Sequence, residues 1–233
     1  MALYVMSDTH LSLLVDKPMD VFGKRWDGYV EKIKSNWLQT VKDGDTVVIN
    51  GDISWGMSLC DTEEDFRFLE NLPGKKLLCR GNHDYWWDTV AKNKKFLEKC
   101  GFSSFDFIQN NSFCVDGIVI GGSRGWFYDK KVSPTDSDYM KIVSREVIRI
   151  ELSILDAIKK YEKTPYIFLH FPPVYKDCIC AEILEILKKY SIKKCYYGHI
   201  HNVYDLPPSF IYEGIEFICT SADYLDFRPL LVE

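Results

Sequence analysis

Five short apolar runs, each broken off by a polar cluster, constrain this chain more than any other feature. They are Leu3–Met6, Thr46–Ile49, Lys75–Cys79, Tyr166–Leu169 and Lys194–Tyr197. Runs this short have strand length and fall well below helix length. Near-continuous apolar character marks strands covered on both faces, as in parallel sheets. The segments between them change period. Trp26, Val30, Ile33, Trp37 and Val41 recur at steps of three and four, which predicts an amphipathic helix over 27–42 with Gly44 past its end. Further helices are predicted over 61–71, 86–100, 138–161 and 178–190. Asp116-Gly117 and Glu213-Gly214, each between apolar runs, predict hairpins. The stretch 121–137 is rich in Gly, Ser, Asp and Pro and reads as a loop. Strand–helix alternation at both ends of the chain, with hairpins between and after, indicates a mixed α/β fold with sheets inside and helices outside. The 233 residues contain no internal repeat, low-complexity tract or linker, so one domain over 1–233 is expected.

Charge and compartment narrow the function classes. The formal net charge is −5, which argues against bulk attraction to long nucleic acid or to an anionic membrane. No apolar run approaches the roughly 18 residues of a membrane span. The apolar N-terminus reaches Ser7-Asp8 without a basic leader, unlike a signal peptide. Eight cysteines are scattered along the chain, a pattern of reduced thiols in a cytoplasmic protein rather than a disulfide framework. Cys178 and Cys180 are the only close pair and have no second pair to complete a zinc site.

The polar clusters carry the chemistry. The first run is followed by Asp8-Thr9-His10, the second by Asn50-Gly51-Asp52, and the third by Gly81-Asn82-His83-Asp84. The fourth ends in His170, and the fifth is followed by Gly198-His199-Ile200-His201. Ligands in open α/β sheets bind beyond the carboxyl ends of the strands, so residues far apart in sequence can meet there. Each cluster alone is weak, since Gly-Asp after a strand is commonly a turn. The combination is specific, because all five histidines of the chain lie in these clusters.

Asp8-x-His10, Gly51-Asp52, Gly81-Asn82-His83-Asp84, His170 and Gly198-His199-x-His201, in this order, resemble the five motifs of the calcineurin-like metallophosphoesterases. That resemblance spans residues 8–201. It implies a four-layer α/β/β/α sandwich of two mixed β-sheets flanked by helices, with a dinuclear metal centre at the sheet edges. By the same resemblance, Asp8, His10 and His201 hold one metal, and Asn82, His170 and His199 the other. Asp52 bridges both. His83 stands beside the centre as the acid for the leaving group, with Asp84 as its orienting partner. Imidazole, carboxylate and amide oxygen independently suit Mn, Fe, Zn, Co or Ni. Two divalent or mixed-valence ions of this kind, with Mn, Fe or Zn favoured, activate a water and clamp the reacting oxygens. A histidine is suited to protonate a leaving alkoxide because its ordinary pKa lies near neutrality.

Departures from the family pattern bear on the substrate. Phosphoprotein phosphatases of this superfamily continue as Gly-Asp-x-Val-Asp-Arg-Gly. Here the sequence runs Gly51-Asp52-Ile53-Ser54-Trp55-Gly56, without the phosphate-gripping arginine. Trp55 also stands where purple acid phosphatases place a metal-binding tyrosine. The reading that remains is a small phosphohydrolase, with a phosphodiester or nucleotide-type substrate favoured over a monoester or a phosphoprotein. Arg124 and Trp126 are candidate substrate residues, one for phosphate oxygens and one for a base. Tyr85-Trp86-Trp87 is a second candidate base platform, although aromatics there also suit a core. Loop 11–25, leaving directly from His10, is a candidate lid. The expected partner is a small phosphorylated molecule, and the oligomeric state is not legible.

Overall fold

A computed structural model of the chain describes residues 1–126 and 136–233. Most of the expected 121–137 loop therefore lies outside the described residues. The first sheet contains β1 (Leu3–Met6), β2 (Thr46–Asn50), β3 (Lys75–Cys79), β4 (Phe105–Phe107) and the C-terminal β13 (Leu230–Leu231), in the order β13-β1-β2-β3-β4. The second contains β5 (Ser112–Val115), β6 (Ile118–Ser123), β7 (Tyr166–Leu169), β10 (Lys194–Tyr197), β11 (Ser209–Tyr212) and β12 (Ile215–Cys219), in the order β11-β12-β10-β7-β6-β5. Central strands of both sheets are parallel, and β13, β5 and β11 form antiparallel edges. A small hairpin, β8 (Val174–Tyr175) with β9 (Cys178–Ile179), stands apart. The helices are α1 (Tyr29–Thr40), α2 (Glu63–Glu70), α3 (Val90–Lys99), α4 (Asp136–Tyr161) and α5 (Ala181–Lys189).

Side-chain alternation separates the layers. In β2, Val47 and Ile49 face the cluster shared with Ile33 and Trp37 of α1 and Phe66 of α2, while Val48 faces the other sheet. In β7, Ile167 and Leu169 face α4 and α5, and Phe168 points between the sheets. Phe168 stacks there on Tyr196 of β10 at 4.7 Å. Three apolar clusters thus lie helix-to-sheet, sheet-to-sheet and sheet-to-helix. This is the expected four-layer α/β/β/α arrangement, and burial of apolar surface at all three interfaces holds it together.

Two helix expectations need correction. The helix placed at 86–100 begins only at Val90, where the Thr89 hydroxyl caps it by accepting from Lys92 N at 3.3 Å. Tyr85-Trp86-Trp87 is turn instead, because both indoles are tied elsewhere: Trp86 Nε1 donates to Asp84 (3.1 Å) and Trp87 Nε1 to Gln109 (3.3 Å). The helix placed at 178–190 begins at Ala181, because Cys178–Ile179 pair with Val174–Tyr175 across a turn at Lys176. The hairpin signals hold, with Asp116, Gly117, Glu213 and Gly214 all at positive φ. Strands β4 and β13 had no sequence expectation, being only 3 and 2 residues long.

Candidate metal centre

The carboxyl ends of the parallel strands are stitched together where the two sheets meet. The buried Asn50 amide at the end of β2 donates to Leu169 O of β7 (2.8 Å) and Tyr196 O of β10 (3.1 Å). Ser7, after β1, pairs with Ser221, after β12. These ties bring the polar clusters of both sheets into one cleft. Gly81 is required at this junction, since a Cβ there would overlap the carboxylate and backbone nitrogen of Asp52. Asp8, His10, Asp52 and His199 have φ of 60°, 43°, 51° and 69°. This left-handed region costs non-glycine residues on the order of 1 kcal/mol each and persists where surrounding structure enforces it. Here it turns the side chains inward.

Two groups of donor atoms result. Asp8, His10 and His201 form one, and Asp52, His170 and His199 the other, with the ligand atoms of each group within 4.8 Å of one another. Asp52 lies between them: its Oδ2 is 3.7 Å from His10 Nε2 and 3.3 Å from His170 Nε2. Asn82 Oδ1 is 2.8 Å from His170 Nε2. The structure therefore brings together all seven residues singled out as ligands.

Hydrogen bonds behind the rings fix which nitrogen faces the cleft. His201 Nδ1 donates to Asp223 Oδ1 at 2.9 Å, and His170 Nδ1 donates to Asn50 O at 3.2 Å. Both partners only accept, so each Nε2 is left to face inward. There His201 Nε2 meets His10 Nε2 at 3.3 Å and Asp8 Oδ1 at 3.3 Å. Lone pairs turned on one another at these distances repel unless a cation or proton lies among them. In the chain alone protons take that place. Burial works against a charged His201, but Asp8 and Asp223 outweigh it and lift the ring to about 10. Burial likewise opposes charge on His170, yet Asp52 and Asp8 raise it to about 9. Burial instead pushes His10 down to about 4 and His199 to about 3, so those rings stay neutral. Burial favours the neutral forms of Asp8 and Asp52, but the neighbouring histidines hold both carboxyls well below the usual range. The set attracts positive charge, and its donor chemistry fits divalent transition metals.

The sequence profile described as calcineurin-like phosphoesterase matches residues 1–203. The chain belongs to that family. It is thus a metal-dependent phosphoester hydrolase, and the family implies two divalent metal ions. Solved structures agree on the fold. A protein of unknown function from Aquifex aeolicus, AQ665, is similar at 21% identity with a TM-score of 0.53, covering 99% of this chain and 95% of that one. Phosphopantetheinyl hydrolase (PptH) from Mycobacterium tuberculosis is similar at 13% identity and a TM-score of 0.56, covering 99% and 95%. TT1561 of Thermus thermophilus is similar at 11% identity and a TM-score of 0.56, covering 99% and 97%. Among curated proteins no sequence matches significantly.

Other expected residues fall differently in this calcineurin-like phosphoesterase. His83 lies beside the centre, its ring 5.7 Å from His10 and 4.4 Å from Trp55. Asp84 does not orient it. The buried Asp84 carboxylate accepts from the backbone nitrogens of Asp52 (2.9 Å), Ile53 (2.8 Å) and Gly81 (2.7 Å) and from the Trp86 indole (3.1 Å). It clamps the second motif to the third, because these convergent N–H groups outcompete a side chain facing the other way. His83 Nδ1 is buried without a hydrogen-bond partner among the described residues. Trp126 leans on Phe171 at 5.0 Å, and Phe171 on His199 at 4.5 Å, so it buttresses the centre from behind. Arg124 lies on that side too, 3.9 Å from Glu146.

Loop 11–25 forms a wall. Met19, Phe22 and Trp26 line a cavity of about 200 Å³ together with Trp55, His83 and His201. Trp55 stacks on His10 at 4.9 Å. Asp223 was missed by sequence reading, although it too follows the carboxyl end of a parallel strand, β12. No helix among the described residues is long and apolar enough to cross a membrane.

Proposed function

We propose that this phosphoesterase hydrolyses a phosphodiester or a nucleotide-type phosphate ester. Asp8, His10 and His201 hold one divalent ion, Asn82, His170 and His199 the other, and Asp52 serves both. The observation that carries the assignment is the pair of donor groups, each within 4.8 Å, with Asp52 between them. When bound, the ions supply a water that is acidic near neutral pH and positive charge for the phosphoryl oxygens. Mn, Fe or Zn suits the donor set. The chain's own residues do the rest. His83, packed beside Trp55 at the cavity edge, donates a proton to the leaving oxygen. Asp223 and the Asn50 carbonyl keep His201 and His170 in the ligating tautomer.

The leaving-group side supports the substrate class. Trp26, Trp55, Phe22 and Met19 border the cavity beside His83, which suits an aromatic or apolar leaving group such as a nucleoside. The eight free cysteines support a reducing, cytoplasmic setting. The expected partner remains a small phosphorylated molecule. With Mn²⁺ added, bis(p-nitrophenyl) phosphate should be turned over with a kcat/KM at or above that of p-nitrophenyl phosphate. A tenfold preference for the monoester would refute the diester assignment.

A further inference from the structure

Next to the Gly81-Asn82-His83 turn, at Arg80, lies a second, more polar cavity, about 50 Å³ in volume. One water needs only ~10–15 Å³. Its lining includes Arg80, Arg124 and Arg149, contributed by the end of β3, the end of β6 and the middle of α4. Carboxylates do not balance these guanidiniums. Glu146, 1% exposed, pairs with Arg149 at 2.6 Å and lies 3.9 Å from Arg124. Its other oxygen accepts from the Ser123 hydroxyl (2.6 Å) and Gly125 N (3.1 Å). Asp88 also lines the cavity, but Lys92 occupies its carboxylate at 2.8 Å. Arg80 has no ion pair among the described residues, and the Nε atoms of Arg80 and Arg124 are buried without hydrogen-bond partners. A buried Glu146 needs one counter-charge, which Arg149 provides. It accounts for neither the presence of Arg80 nor the convergence of all three arginines. Burial lowers the pKa of Arg124, Glu146 opposes that, and Arg80 and Arg149 add to the lowering, as expected for crowded like charges.

The cavity adjoins the metal centre by chain and by contact. Arg80 immediately precedes Gly81-Asn82-His83. Arg124 O accepts from Phe171 N at 2.9 Å, and Phe171 packs on His199. We propose that Arg80, Arg124 and Arg149 form an anion subsite that holds a second phosphate of the substrate while the first lies at the metal centre. Guanidinium groups are suited to this because their forked donors match phosphate oxygens. The substrate class narrows accordingly to a phosphate ester carrying an additional phosphate, such as a nucleoside diphosphate derivative. This assignment of the second phosphate rests on the hydrolase reading above; the anion site itself does not.

Two measurements separate these claims. Calorimetric titration of inorganic phosphate into the full chain after metal removal should show binding that weakens at least tenfold in Arg80→Gln and in Arg149→Gln. Arg145→Gln, an exposed arginine of the same helix outside the cavity, should bind like the wild type. Equal phosphate binding by the wild type and both cavity variants overturns the subsite. In the Mn²⁺-loaded protein, a nucleoside diphosphate should inhibit bis(p-nitrophenyl) phosphate hydrolysis at least tenfold better than the monophosphate, and Arg149→Gln should erase that advantage. Equal inhibition by both in the wild type overturns the substrate assignment. Absence of diester hydrolysis, with arginine-dependent phosphate binding intact, would instead refute the diester reading above and leave the anion site standing.

Discussion

Asp223→Asn tests whether the residue behind His201 governs the centre. Asp223 is fully buried, and its two oxygens have divided tasks. Oδ1 accepts from His201 Nδ1 at 2.9 Å, while Oδ2 accepts from Asn202 N at 3.0 Å and the Tyr204 hydroxyl at 3.1 Å. An asparagine keeps one acceptor and gains a donor. With its oxygen toward Asn202 and Tyr204, its NH₂ faces His201, and the ring must accept at Nδ1. The ring hydrogen then moves to Nε2, the atom that faces Asp8 at 3.3 Å, and ligation is blocked. The opposite orientation sets NH₂ against Asn202 N–H, a buried unsatisfied donor costing roughly 1–3 kcal/mol. Either way the expected loss of affinity at the Asp8–His10–His201 site is about 10–100-fold, the usual consequence of removing such a partner. That corresponds to about 1.4–2.8 kcal/mol. Titration of Mn²⁺ or Zn²⁺ into the metal-free proteins should show one site weakened and the other retained. Circular dichroism should be unchanged. The His201 ring, raised to about 10 with Asp223 among the causes, should titrate lower by NMR in the metal-free variant. Metal affinity within twofold of wild type, together with an unmoved His201 titration, would refute the reasoning.

Three further outcomes are expected. His83→Ala should retain both metals but lose roughly 10²–10⁴ in turnover of esters with poor leaving groups, with p-nitrophenyl esters less affected; loss of metal on elemental analysis would contradict its role as acid. Gly81→Ala drives a Cβ into Asp52, so denaturant unfolding should show destabilisation of ~1–3 kcal/mol and metal content should fall. Asp65 is buried and its carboxyl is pushed up to about 6 from 3.8 by burial, against hydrogen bonds from Ser54 and Leu13. The folded state therefore holds this proton more tightly than the unfolded state, and stability from this group is lost as pH rises from about 4 through 6. Two pKa units correspond to about 3 kcal/mol, so Asp65→Asn should gain on wild type by that order between pH 4 and 7. Parallel pH profiles for the two proteins would dismiss the effect.

Residue order alone determined much of this protein. Apolar runs of strand length matched β1, β2, β3, β7 and β10 almost to the residue, because a strand covered on both faces favours apolar side chains along most of its length. The polar clusters after those strands named the converging donors, since parallel strands present their carboxyl ends on one edge of a sheet. Local signals failed where long-range contacts override them. Trp86 and Trp87 look like a helix start, but Asp84 and Gln109 hold their indoles in a turn. Adjacency in sequence suggested that Asp84 serves His83, whereas the fold turns that carboxylate toward the backbone N–H groups of Asp52 and Ile53, 32 and 31 residues upstream. Asp223 follows a strand end as the other donors do, but nothing in the sequence pairs it with His201, and Arg124 was legible as a phosphate candidate without any sign that Arg80 and Arg149 gather beside it. Their partners come from other strands and from α4, and only the packing of the two sheets against each other sets those side chains side by side. Which atoms can bind a metal was thus written in residue types and spacing. Which side chains orient those atoms, and where a second charge gathers, depended on distances that exist only once the sheets close on each other.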